Sequence, residues 1–202
     1  MPSAVLDRTD ERHVRKGPSR NNGFTFIELM VLCAVFIIIA SLAVPTWHSQ
    51  RERQRFTAGA EQLASFLSLA QVESVMRHEN MTLSLARSDA DRWCVGLTAG
   101  DDPCDCRQWN IEALDFCQID GDSRVFTQAN FSHPSILDSV RGNAVLVFDP
   151  LQGALTDPAS NVELDLISDR GQYSLSVQLG RDGHVRICSR NSATQVPGYN
   201  LC

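Results

Sequence analysis

The chain has 202 residues, 43% of them hydrophobic, with 18 basic against 24 acidic side chains and seven cysteines. That length suits one domain of ordinary size with terminal segments attached, and a net charge of −6 argues against broad, non-specific binding to nucleic acid. No Gly-x-Ser-x-Gly, His-Glu-x-x-His or phosphate-loop motif is present, so neither an enzyme nor a bound cofactor is expected.

In chain order, residues 1–22 are polar and rich in Arg, Ser and Asn, and they read as unstructured. Residues 1–23 hold five bases and three acids, which leaves 13 bases against 21 acids, a balance of −8, for the remainder. Basic residues beside an apolar segment keep that end cytoplasmic. From Phe24 to Val44 run 21 residues of which only Glu28 is charged. About 20 apolar residues in a helix cross the hydrocarbon layer, so this segment is predicted to span a membrane. A carboxylate there costs about 2.5–3.5 kcal/mol at the membrane centre and less near an interface. A residue kept at that cost needs a cationic partner. The segment supplies one only if cleavage after Gly23 creates a new α-amino group on Phe24.

Pro45 ends the apolar run, and a proline inside a helix removes a hydrogen bond and kinks the axis. From Thr46 to Glu79 the pattern stays helical but becomes amphipathic. Phe56, Ala60, Leu63, Leu67 and Ala70 recur at spacings of four and three and define one face. A continuous helix from Phe24 to about His78 is expected. After Asn80 the period falls to two. Strands are predicted at Met81–Leu85, Arg92–Thr98, Arg124–Asn130, Ala144–Phe148, Val162–Ile167, Tyr173–Leu179 and His184–Cys188. Residues 99–124 read as a loop, and Gly180-Arg181-Asp182-Gly183 as a tight hairpin turn. The resulting fold class is α+β, with a long N-terminal helix, its first half transmembrane, packed on an antiparallel β-sheet head.

Cys33 lies in the apolar run and reads as a packing residue. The other six cysteines, Cys94, Cys104, Cys106, Cys117, Cys188 and Cys202, follow the membrane segment, and an even count in an exported domain reads as disulfides. A Cys188–Cys202 bridge would close a loop of about 15 residues, worth about 3 kcal/mol in the chain-entropy model, and pin the tail to the last strand. The remaining four would then pair among themselves in an order left open, except that a direct Cys104–Cys106 bridge would be strained. Metal is the weaker reading, because Cys104-Asp105-Cys106 lacks the Cys-x-x-Cys spacing and has no His nearby.

Gly23-Phe24-Thr25-Phe26-Ile27-Glu28, with its basic leader and unbroken apolar run, resembles the processing signal of type IV pilins and pseudopilins. The resemblance implies cleavage after Gly23 by a prepilin peptidase, methylation of the new N-terminus at Phe24, and a pairing of Glu28 with the amino terminus of a neighbouring subunit. It also implies a role for Pro45, the 22nd residue from Phe24, where the helix loosens during filament packing. Leu69-Ala70-Gln71-Val72-Glu73-Ser74, Val147-Phe148-Asp149-Pro150 with Gly153, and Gly183-His184-Val185-Arg186-Ile187-Cys188 are similar to the GspH/FimT group of minor pilins and pseudopilins. The implied organisation is a leader at 1–23, a transmembrane and filament-core helix at 24–45, and a periplasmic pilin-like head at 46–202. The implied partners are other pilins in a pilus or type II secretion pseudopilus, the prepilin peptidase, the inner-membrane assembly platform and membrane lipid.

Some members of the FimT group take up DNA through arginines near the C-terminus, which makes Arg181, Arg186 and Arg190 candidate DNA contacts. Three guanidiniums would give weak, salt-sensitive phosphate binding. His184 interrupts the group's Gly-Arg-x-Arg pattern. The plain alternative is an exposed strand with Val185 and Ile187 inward and polar residues outward, and the acidic balance favours it.

Overall fold

A computed structural model describes residues 25–89, 92–130, 135–142 and 144–202, without the side chains of 42–49, 89, 135, 136, 138 and 142. One helix, α1, runs from Phe26 to Arg77. Thr25 starts it: its Oγ1 accepts the Glu28 backbone N–H at 3.3 Å, in the Thr-x-x-Glu pattern that satisfies free amides at a helix start. His78 ends it in the left-handed region, at φ 57°, while Glu79 N–H reaches back to the Ser74 carbonyl at 3.3 Å. That is a Schellman closure with His in the place usually taken by Gly. The backbone stays helical through Pro45, and the chain divides into two compact units between Val44 and Pro45.

The second unit carries two four-stranded antiparallel sheets where the sequence suggests one. In the first, β5 (Val125–Thr127), β2 (Arg92–Ala99), β1 (Met81–Asp89) and β7 (Val145–Phe148) lie side by side in that order. In the second the order is β10 (Val185–Ser189), β9 (Ser174–Leu179), β8 (Val162–Ser168) and β6 (Ser135–Gly142). A small hairpin of β3 (Gln118–Ile119) and β4 (Asp122–Ser123) turns through Asp120 and Gly121, both at positive φ. This hairpin lies inside the stretch read as loop, and its Asp-Gly pair is the signal for it.

Strand β6 is the element that period counting misses. A register shift between Leu137 and Ser139 places Leu137 opposite Leu166 and Val140 opposite Leu164, three residues apart instead of two. The bulge breaks the alternation on which a strand is recognised. The stretch expected as a strand from Arg124 to Asn130 is shorter than predicted. It pairs only over Val125–Thr127 and then closes into a 3-10 turn, Gln128–Asn130, where Asn130 Oδ1 accepts the Thr127 N–H at 2.7 Å.

The predicted face of α1 becomes one side of the core. Phe56, Ala60, Leu63, Leu67 and Ala70 are all buried and belong to one cluster with residues of both sheets. Phe66 meets the Phe126 ring of β5 at 5.7 Å, and Phe126 meets Trp93 of β2 at 6.2 Å. The hairpin between β9 and β10 also docks on α1. Gly183 N–H bonds to the Gly180 carbonyl at 3.0 Å, as the turn prediction requires. Gly183 sits at φ 78°, and a side chain there would strike the Gly153 carbonyl at 2.3 Å, so only glycine fits. The amide of Gln71 on α1 donates to the Asp182 carbonyl of that turn at 3.3 Å.

Candidate assembly surfaces

Within residues 25–41, the start of α1 presents apolar side chains to its surroundings. Eleven large ones between Phe26 and Ile39 are exposed, and Glu28 stands among them as the single charged residue. Such an area is far beyond the scattered apolar exposure of an ordinary surface and requires a cover of lipid or protein. Among the described residues no helix is long and apolar enough to cross a membrane. The span expected from sequence extends to Val44, and the side chains of residues 42–49 lie outside those described. Gly23 and Phe24, the expected cleavage junction, also lie outside them, as does the Pro45 side chain. Cys33 is exposed and unbridged.

The six cysteines beyond α1 form three disulfides: Cys94–Cys106, Cys104–Cys117 and Cys188–Cys202. Four half-cystines gather into a small second core beside Ala86 and Val125. Gly96 makes room for them. A Cβ there would lie 2.2 Å from Cys117 Sγ. Cys188–Cys202 closes the tail as expected, and Leu201 forms a parallel bridge to Ser189 at the free edge of β10. Val196 enters the main core, and Tyr199 donates its hydroxyl to Glu61 Oε1 of α1 at 2.5 Å. Burial, and then this hydrogen bond to a carboxylate, push the Tyr199 phenol up to about 12.

The three candidate arginines have different surroundings. Arg181 lies exposed in the hairpin turn and Arg186 lies exposed on β10. Arg190 approaches Asp165 instead, with Nε 3.6 Å from Oδ2. Asp165 is fully buried and also accepts from Ser139 Oγ at 2.5 Å and from Arg141 Nη2 at 3.0 Å. Arg141 extends to Glu163 Oε1 at 2.7 Å, and the same oxygen accepts from Ser176 Oγ and Gln178 Nε2. A polar network thus crosses the outer face of the second sheet. Arg141 belongs to it and no sequence motif marks it. The signal available was the facing charges of β6 and β8, which cannot be aligned before the bulge is known. Among the described residues no group of three His, Cys, Asp or Glu side chains could hold a metal ion.

Residues 59–183 match a family model described as Type II transport protein GspH. The chain belongs to that family. The match covers more than half of the chain, from the buried face of α1 to the β9–β10 turn, and its description names a transport protein, not an enzyme. Glu28, Arg186, Arg190 and the Cys188–Cys202 tail lie outside the matched residues. A search of the curated proteins finds no match. Two crystal structures of the type IV minor pilin FimU from Pseudomonas aeruginosa (strain PAO1) are similar to the chain. One has 12% identity, covers 71% of this chain and 98% of that one, and has a TM-score of 0.43. The other has 16% identity, covers 73% and 96%, and has the same score.

Proposed function

We propose that this protein is a minor pilin or pseudopilin. In this reading residues 24–45 anchor an inner-membrane precursor with a cytoplasmic N-terminus, a prepilin peptidase cuts after Gly23, and Phe24 is methylated. The mature chain then enters a pilus or a type II secretion pseudopilus, at the tip or in priming. One observation carries the proposal: α1 serves two environments. Its second half is a wall of the folded head, with Leu63 and Leu67 buried, while the stretch from Phe26 to Ile39 is apolar and bare apart from Glu28. A helix built this way is suited to leave a membrane and enter a bundle of like helices. In that low-dielectric setting Glu28 and the amino group of a neighbouring subunit attract strongly, and each offsets part of the cost of burying the other. Partners in this reading are other pilins, the peptidase, the inner-membrane assembly platform and lipid.

Processing tests the reading. Coexpression with a prepilin peptidase should shorten the chain by its 23-residue leader, and Gly23→Val should leave it at full length. A shortened Gly23→Val chain would refute the junction.

A second reading, a minor pilin that binds DNA during uptake, rests on Arg181 and Arg186, which stand exposed on one hairpin. It predicts a gel shift that weakens with salt and disappears in Arg181→Gln/Arg186→Gln. The first reading predicts no shift. Pairing of Arg190 and Arg141 with buried or half-buried carboxylates favours the first.

A further inference from the structure

Three large apolar side chains of the head stand bare within one short stretch of loop. Trp109, Ile111 and Leu114 are exposed to 88%, 68% and 106%. The loop that carries them is fixed in place. Cys94–Cys106 and Cys104–Cys117 staple its two ends, and Phe116 is buried beside the second staple. Between the staples, Gln108 N–H bonds to the Asp105 carbonyl at 2.9 Å and Ala113 N–H to the Asn110 carbonyl at 3.1 Å. Side chains close the remaining turns: Gln108 Oε1 accepts the Trp109 N–H and Asn110 Oδ1 accepts the Glu112 N–H, both at 3.1 Å. A docking partner therefore would not have to order this loop, which removes a main cost of association.

The charge around the three side chains selects the partner. Glu112 and Asp115 are exposed on the same loop, and Asp101 and Asp102 are exposed in the segment that leads into it. Arg107 is its one cation, and Asp105 holds it through Nε at 2.9 Å and Nη2 at 3.0 Å. An anionic rim repels nucleic acid and anionic lipid headgroups, and it repels the same loop on a second copy. An aromatic anchor within such a rim fits a protein pocket that is apolar at its floor and edged by Arg or Lys.

We propose that the stapled loop is the docking knob of the head, and that Trp109 seats in a pocket of that chemistry on a neighbouring filament subunit of different sequence. The proposal rests on the filament reading and names the partner that reading leaves open.

Photo-cross-linking tests it. The full chain carrying p-benzoylphenylalanine in place of Trp109 is produced in its own host, irradiated in intact cells, and the joined peptides are sequenced. The expected adduct is to another chain that has its own Gly-Phe-x-x-x-Glu membrane segment, at a site flanked by Arg or Lys. Its yield should fall roughly tenfold or more in Glu112→Lys/Asp115→Lys. The absence of free head thiols in that variant shows that the loop is intact. Adducts to lipid, to a second copy or to an unrelated protein would overturn the proposal, as would a yield indifferent to the charge reversal or no adduct at all. The filament reading is scored separately, by whether the wild-type chain fractionates with filament subunits. If it does and the adduct is absent, the docking proposal alone fails.

Discussion

At the residue scale, two carboxylates show how setting decides role. Glu28 sits among bare apolar side chains with its backbone N–H on Thr25, and in the proposed assembly its partner is the amino terminus of another subunit. Asp165 has its partners within the fold: Ser139, Arg141 and Arg190 converge on one oxygen. Removing a partner from a buried charge costs more than the pair contributes, so Arg190 is needed where it is. Sequence proximity groups Arg190 with Arg181 and Arg186. The fold gives Arg190 a separate task, because its Nε lies 3.6 Å from Oδ2 of the buried Asp165 on β8, two strands away.

Tyr199 gives a pH dependence with a defined sign. Its phenol is pushed up to about 12 by burial and by its bond to Glu61, against about 10 in an unfolded chain. The folded state keeps the proton where the unfolded state has lost it. The stabilisation is therefore complete below about pH 10 and is lost as pH rises toward about 12. Urea titrations of the full chain in detergent should show the gap between wild type and Tyr199→Phe constant below pH 10 and closing above it. A gap that stays constant up to pH 12 would show that Tyr199 does not hold the tail through that proton.

At the element scale, α1 is the most legible part of the chain, because a helical face needs only local periodicity. Phe56, Ala60, Leu63, Leu67 and Ala70 are predicted as one face and are buried as one. Leu63 is fully buried in the cluster that joins α1 to the sheets. Leu63→Ala should destabilise the head by about 2–5 kcal/mol, read as a shift in the urea midpoint with an unchanged slope. A loss below about 1 kcal/mol would mean that the helix is dispensable as a wall of the core. Strands are less legible. Alternation reveals β1, β2, β8 and β9, whereas β6 is hidden by its bulge and β3–β4 by their two-residue length. The expectation of one sheet fails for a related reason. Pairing order is set by contacts distant in sequence, such as β6 on β8 and β1 on β7, and no local pattern encodes them.

On the scale of the whole molecule, the cysteines mark the same limit. Their even count marks a stapled head, while the pairing of Cys94 with Cys106 and Cys104 with Cys117 becomes readable only once Gly96 is seen to admit them. The family match begins at residue 59, so it concerns the head and leaves the proposed assembly chemistry at Glu28 to experiment. The head is closed by three disulfides and presents a loop that two of them staple. In the proposed assembly, the apolar start of α1 supplies membrane residence first and filament packing afterwards, with Glu28 guiding the transfer between the two.

The most direct test of that role for Glu28 is the incorporation of Glu28→Ala into filaments or pseudopili sheared from the producing cells, measured beside its level in the inner membrane. The expected result is a membrane level equal to wild type and little or no variant in the sheared fraction. Incorporation at the wild-type level would contradict it.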